Sequence, residues 1–146
     1  MKALALGAVL IGAVQALSAQ DIVTYETDQS FDDVTFGLES AILDRGLVID
    51  HVSHVGEMLE RTRADVGSRV VLFDRADVYS FCSATLSRKV METDPMNIAF
   101  CPYGIFVAKV ADRPGRVIVG HQSFPKGAMQ EVQDLLSTIA LETIGQ

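Results

Sequence analysis

The sequence predicts an α+β domain with a largely antiparallel, curved sheet and helices on one face. Two amphipathic helical patterns lie early and late in the chain, and short β-rich segments lie between them. A strong turn signal, Asp112-Arg113-Pro114-Gly115, separates two of these segments and indicates a hairpin of antiparallel strands. One domain over residues 20–146 is expected, because that length is typical of a single domain.

The N-terminus has the pattern of a secretory signal peptide. Lys2 precedes an apolar run over residues 3–14, which small residues then follow. The run is shorter than the roughly 20 apolar residues that a membrane span needs. We therefore expect a signal peptide over residues 1–19, cleaved between Ala16 and Gln20. The mature protein is then periplasmic and has no stable membrane anchor.

The chain is acidic, with a formal net charge of −7 at pH 7 and an isoelectric point near 4.8. Proteins that bind nucleic acid present clustered Lys and Arg side chains, because neutralised phosphates supply most of the affinity. The basic residues of this chain are scattered instead. We therefore expect no nucleic-acid partner.

The first strand and the first helix follow from local sequence. Residues 22–26 are β-rich and bounded by polar residues, which is typical of a strand. Ser30 and Asp33 resemble a capping box, and Gly46 suits the position after the last helical turn. Between these caps, apolar residues recur at helical spacing: Phe31, Val34, Leu38, Ala41 and Ile42.

A second strand and a shorter helix are predicted next. Residues 47–52 have the composition of a strand. Ser53 is the expected N-cap of a helix in which Val55, Met58 and Leu59 share one face.

The middle of the chain leaves one alternative open. Residues 70–73 and 78–82 are both strand-like, and the polar residues between them indicate either a hairpin or one bent edge strand. Ser83 then caps a helix that runs to about Thr93, where Asp94-Pro95 forces a stop.

The C-terminal third predicts a hairpin and a closing helix. Residues 105–110 and 116–121 are the strands of the hairpin. Residues 128–143 form an amphipathic helix, with its apolar positions directed inward.

Three stretches, the third of which has two parts, occur in an order and at separations that resemble the domain of unknown function 302 family. They are Ile49-Asp50-His51, Phe81-Cys82-Ser83, and Asp94-Pro95 followed by Phe100-Cys101-Pro102-Tyr103. The longer segment His51-Val52-Ser53-His54 and the N-terminal pattern look like those of an exported, periplasmic subgroup. The resemblance implies an α+β fold similar to the TATA-binding-protein-like arrangement, and it implies no catalytic residue.

The two cysteines, Cys82 and Cys101, allow three interpretations. In an oxidising compartment a structural disulfide is expected, and closing a loop of about 20 residues adds roughly 3 kcal/mol in the chain-entropy model. A thiol-disulfide redox pair is the second, because the N-terminus of the helix capped by Ser83 lowers the pKa of a nearby thiol. The Cys-x-x-Cys spacing of such enzymes is absent. Free thiols or metal ligands are the third.

Soft donor atoms lie in two segments of the chain. His51, His54 and Met58 occur close together, and imidazole with thioether or thiolate suits copper and haem iron. The alternative is structural, with Met58 in the core and the histidines hydrogen-bonded, Asp50 being an available partner. Hydrolase chemistry on Asp50 and His51 is disfavoured, because adjacent strand residues point to opposite faces.

These residues predict a small periplasmic binding or accessory module rather than an enzyme. Its expected site gathers His51, His54, Cys82 and Cys101 around copper, haem or a small ligand. A homo-oligomer, and a small-ligand or periplasmic protein partner, are consistent with this hypothesis. A thiol-disulfide redox protein and a purely structural, partner-binding domain are the alternatives. Tyr103, with Phe100 and Phe106, either lines an apolar cleft or packs in the core.

Overall fold

Five antiparallel strands form one open sheet in the computed structural model, which describes residues 21–146. The strands are β1 (Ile22–Thr27), β2 (Val48–Ser53), β3 (Phe73–Cys82), β4 (Tyr103–Val110) and β5 (Val117–Gln122). Their order across the sheet is β1-β5-β4-β3-β2, and every neighbouring pair is antiparallel. The predicted α+β class with an antiparallel sheet is confirmed, whereas the TATA-binding-protein-like likeness stays a prediction. The predicted signal peptide lies outside the described residues.

In the described part of the chain, four α-helices and one 3₁₀ helix accompany the sheet. They are α1 (Phe31–Leu43), α2 (Val55–Thr62), α3 (Ala84–Thr93), the 3₁₀ helix (Pro95–Phe100) and α4 (Gln130–Thr143). The apolar stripes of α1, α3 and α4 join one core with the inner face of the sheet. Within residues 21–146 no helix has the length and apolarity to cross a membrane.

The core lies between these three helices and alternate residues of the central strands. Phe81 of β3 pairs with Tyr103 of β4, and both side chains are buried. Ile105 and Val107 continue the same face of β4, as the two-residue period of a strand requires. Tyr103 therefore packs in the core, which is the second of the two roles considered for it.

β3 is one continuous strand of ten residues rather than two short ones. The polar residues Asp74 to Asp77 predicted a turn, but Arg75 to Asp77 pair with β4, and Asp74 lies at a register shift within the strand. Residues 70–72 lie outside the strand, so the predicted segment 70–73 is wrong for all but its last residue. The pairing with β4 overrides the local turn propensity.

The start of α2 also differs from the prediction. Ser53 pairs with Val78 and is the last residue of β2, so it is extended and does not cap the helix. His54 takes the cap position and forms no capping hydrogen bond with its side chain. Its imidazole contacts the carboxylate of Asp77 instead.

α2 lies beside the part of β3 that β2 does not reach. β2 pairs with β3 only as far as Val78, whereas β3 begins five residues earlier at Phe73. α2 packs on this edge so closely that a Cβ atom at Gly56 would lie 2.6 Å from the amide nitrogen of Ala76. A helix over an exposed strand edge protects it from pairing with other chains.

Candidate binding cleft and thiol pair

A cleft of about 830 Å³ lies between α2 and the first half of β3. It exists because β2 ends early and the chain turns into α2. Both walls therefore come from segments that are adjacent in the fold but about 20 residues apart in sequence. The lining residues are His54, Gly56, Glu57, Glu60, Arg61, Val71 and Phe73 to Asp77.

The best-defined polar contact in the cleft joins His54 to Asp77. The imidazole Nδ1 lies 2.9 Å from the carboxylate Oδ1. Only 12% of the Asp77 side chain is exposed, against 61% of the His54 side chain. A carboxylate accepts hydrogen bonds, so Nδ1 carries the proton and Nε2 is left as a free acceptor when the ring is neutral. Asp77 thus fixes both the tautomer and the orientation of His54.

Asp77 is directed inward by the alternation of β3. Tyr79 and Phe81 are buried in the core, and Asp77 follows the same two-residue period. A charged side chain is rarely buried without a partner, and His54 is that partner. Asp50 was the expected partner of the histidines, and Asp77 was not anticipated from the sequence. The inward position of a carboxylate in a strand was the signal that would have identified it.

Most charged groups of the cleft already have partners. Glu60 pairs with Arg63, Asp74 with Lys109, and Arg75 with Asp32. The exceptions are Glu57 and Arg61, which take no part in the ion pairs found among residues 21–146. These two residues are one helical turn apart, so they lie on the same face of α2. The cleft therefore offers one anionic and one cationic group together with the His54 imidazole.

The opposite wall of the cleft adds apolar surface, mainly from Phe73 and Val71. The lining residues include no Ser, Thr or Cys that His54 could activate as a nucleophile. An oriented imidazole, two free charges and an apolar wall together can hold and orient a small molecule. Binding is therefore the chemistry that this arrangement supports best.

The two cysteines lie at the end of the sheet opposite to the cleft. Cys82 ends β3 directly after Phe81, and Cys101 precedes Tyr103, the partner of Phe81, by two residues. Both are free thiols and partly buried, and their side chains are close enough to interact. The structure thus brings the two residues together, which the sequence left open, and the bond between them stays a prediction.

The pKa of the Cys82 thiol is raised rather than lowered. Burial is the main cause and the neighbouring thiol of Cys101 adds to it, so the pKa is about 11 against an ordinary value of 9.0. The expected lowering by the N-terminus of α3 is therefore outweighed. Cys82 is protonated at neutral pH, which makes it a poor attacking nucleophile.

The predicted metal-ligand set is not assembled. His54 contacts Asp77, and Cys82 follows five residues later on the same extended strand, about 16 Å away at 3.3 Å per residue. His51 is exposed on β2, opposite Ser80. Residues 21–146 contain no group of three or more His, Cys, Asp and Glu side chains placed to hold a metal ion. The length of β3 separates His54 from the thiols, whereas His51 lies opposite Ser80, two residues from Cys82 along β3.

Comparisons with known proteins agree with the fold and assign no activity. The family described as "Domain of unknown function DUF302" matches residues 23–144. A similar solved structure is the crystal structure of an uncharacterized conserved protein DUF302 from Bacillus stearothermophilus, with a TM-score of 0.60 and 13% sequence identity. That alignment covers 84% of this chain and 91% of the other chain. At this identity the likeness shows the fold alone, and no curated protein matches the sequence.

Proposed function

The chain belongs to the DUF302 family, a domain of unknown function, and from its cleft we propose that it is an exported binding or accessory module for a small zwitterionic molecule. Export rests on the N-terminal sequence pattern. The observation that carries the proposal is the exposed His54 imidazole, which the nearly buried Asp77 holds at the mouth of the cleft.

The free charges of the cleft favour a ligand that carries both signs. The ligand's ammonium group pairs with Glu57 and its carboxylate pairs with Arg61, because these two side chains lie on one face of α2 without other ion-pair partners among residues 21–146. His54 Nε2 accepts a further hydrogen bond from the ligand. The apolar wall of Phe73 and Val71 takes up a hydrophobic side group. Amino acids with an apolar side chain combine these features.

The test uses three probes of similar shape. Phenylalanine carries both charges, 3-phenylpropionate lacks the ammonium group, and phenethylamine lacks the carboxylate. Titrations followed by amide NMR spectra of the purified protein measure the affinity and locate the binding site. We expect phenylalanine to shift resonances of α2 and of the first half of β3. Each singly charged probe should bind about tenfold more weakly, the scale of one lost charge-assisted hydrogen bond.

Variants identify the groups responsible. Glu57→Gln and Arg61→Gln should each weaken phenylalanine binding by about tenfold, and His54→Gln should do the same. His51→Gln is the matched control, because His51 is exposed on β2 and does not line the cleft. The absence of binding, equal affinity for phenethylamine, or full affinity in His54→Gln would contradict the proposal.

A further inference from the structure

We propose that Cys82 and Cys101 form an intramolecular disulfide by exchange with a disulfide-bearing oxidant, and that this bond ties the helical segment 84–100 to the sheet at its base. The inference is independent of the cleft, which lies at the other end of β3. It concerns the only two cysteines of the chain.

The geometry that supports the bond comes from the pairing of β3 with β4. Phe81 and Tyr103 are directly opposite each other, so the chain leaves and re-enters the sheet at neighbouring points. Cys82 is the last residue before this excursion, separated from α3 only by Ser83, and Cys101 is the first residue after the 3₁₀ helix. Pro102 alone separates Cys101 from β4, and the side chains of Cys82 and Cys101 are close enough to interact directly.

The helical segment 84–100, which lies between the two cysteines, is a discrete unit that the bond would close. α3 and the 3₁₀ helix pack on each other, and Asn97 donates a hydrogen bond to the carbonyl of Val90 at 2.9 Å. One buried polar contact also joins the unit to the sheet, between Ser87 Oγ and the Tyr103 hydroxyl at 2.9 Å. A covalent bond at the base limits how far the unit can separate from β4, because both of its ends are then linked.

The reaction requires an oxidant, which is a small or protein disulfide, R–S–S–R. The thiolate of one of the two cysteines attacks one sulfur of the oxidant, forms a mixed disulfide and releases the first RS⁻. The other cysteine then loses its proton and attacks the protein sulfur of the mixed disulfide, which releases the second RS⁻. The second step is intramolecular, because the mixed disulfide lies next to the remaining thiol. The two protein thiols are oxidised, the oxidant is reduced to two thiols, and the two protons pass from the cysteines to the released thiolates.

The experiment mixes the fully reduced protein with oxidised glutathione and measures the intact mass after quenching and alkylation. We expect a product that is lighter by two hydrogen atoms and has no alkylatable thiol, with a single cross-link between the peptides of Cys82 and Cys101. A stable glutathione adduct on the wild-type protein, or two free thiols at equilibrium, would overturn the proposal.

Two further measurements separate the folded-state geometry from incidental oxidation. The equilibrium constant for closure with reduced and oxidised glutathione should be at least tenfold larger in native buffer than in denaturant, a difference of about 1.4 kcal/mol. Equal values would show that the fold does not favour the bond. Among single variants, Cys82→Ser and Cys101→Ser should each stop at a glutathione adduct, because neither has a second thiol to resolve it. A single variant that releases its adduct without added reductant would contradict the second step.

Discussion

Gly56→Ala tests the close packing of α2 on β3 that forms the cleft. In the structure, a Cβ atom at residue 56 would lie 2.6 Å from the Ala76 amide nitrogen and 3.2 Å from the Arg75 carbonyl carbon. Ordinary contacts begin at 3.4 Å, so the helix has to move by about 0.8 Å (3.4 minus 2.6). The atoms that the added Cβ would meet belong to the backbone of β3, which has no rotamers to change. The helix α2 therefore has to move as a whole.

Two opposing energies decide the outcome of this substitution. Overpacking of this kind costs about 1–3 kcal/mol. Alanine in place of glycine stabilises the helix by about 1 kcal/mol, because alanine has the higher helix propensity. Because a backbone contact belongs to the upper part of the overpacking range, we expect a net loss of about 1–2 kcal/mol in the free energy of unfolding. Binding of phenylalanine should also weaken, since α2 carries Glu57 and Arg61.

Urea unfolding followed by far-ultraviolet circular dichroism measures the effect, because the chain contains no tryptophan. Gly104→Ala is the matched control: its added Cβ would lie 3.6 Å from the nearest atom, Val78 Cγ1, which is an ordinary contact. The control should be as stable as the wild type or more stable by up to about 1 kcal/mol. A Gly56→Ala variant that behaves like this control would refute the packing argument.

Two further predictions concern buried polar groups on the inner face. His121 is fully buried, donates from Nδ1 to the Gln122 carbonyl at 2.8 Å and lies 3.0 Å through Nε2 from Ser137 Oγ. Burial lowers its pKa below the ordinary 6.5, so the unfolded chain binds the proton more readily. The stability that neutral His121 contributes is complete above about pH 6.5 and is lost as the pH falls through and below that value, by at most about 1.4 kcal/mol per pH unit. Urea unfolding between pH 7.5 and 5 should show that the free energy of unfolding depends less steeply on pH in His121→Gln than in the wild type. An identical pH dependence would contradict this prediction. Tyr103→Phe removes the hydroxyl that contacts buried Ser87, and should cost about 1–3 kcal/mol. Adding Ser87→Ala should recover part of that loss, whereas strict additivity of the two substitutions would show that the contact contributes nothing.

Local signals were sufficient for the helices with side-chain caps. Ser30 accepts a hydrogen bond from the Asp33 amide, and Ser83 accepts one from the Leu86 amide, as their sequence positions predict. β3 was not predictable in this way, because its polar first half is held in the sheet by pairing with β4 rather than by its own propensity. The 3₁₀ helix was missed for a different reason, since its signal is local. Asp94-Pro95 was interpreted only as a stop, whereas Asp94 also caps the next helical turn.

The candidate site depended still more on tertiary structure. His54 was identified from the sequence, but its partner Asp77 is 23 residues away and becomes adjacent only because β2 and β3 are antiparallel. The same pairing places Cys82 at the far end of β3, which separates His54 from the predicted thiol ligands. The proximity of Cys82 to Cys101 was an open alternative in the sequence, and the pairing of Phe81 with Tyr103 accounts for it.

The most direct measurement is a long-range ¹H–¹⁵N spectrum of the histidine imidazoles, recorded while phenylalanine is added to the protein. The chain has three histidines, so each can be assigned by substitution. We predict that His54 is the Nδ1–H tautomer, held by Asp77, and that its Nε2 resonance moves with phenylalanine while those of His51 and His121 do not. A His54 ring in the other tautomer, or one that does not respond to the ligand, would contradict the central claim.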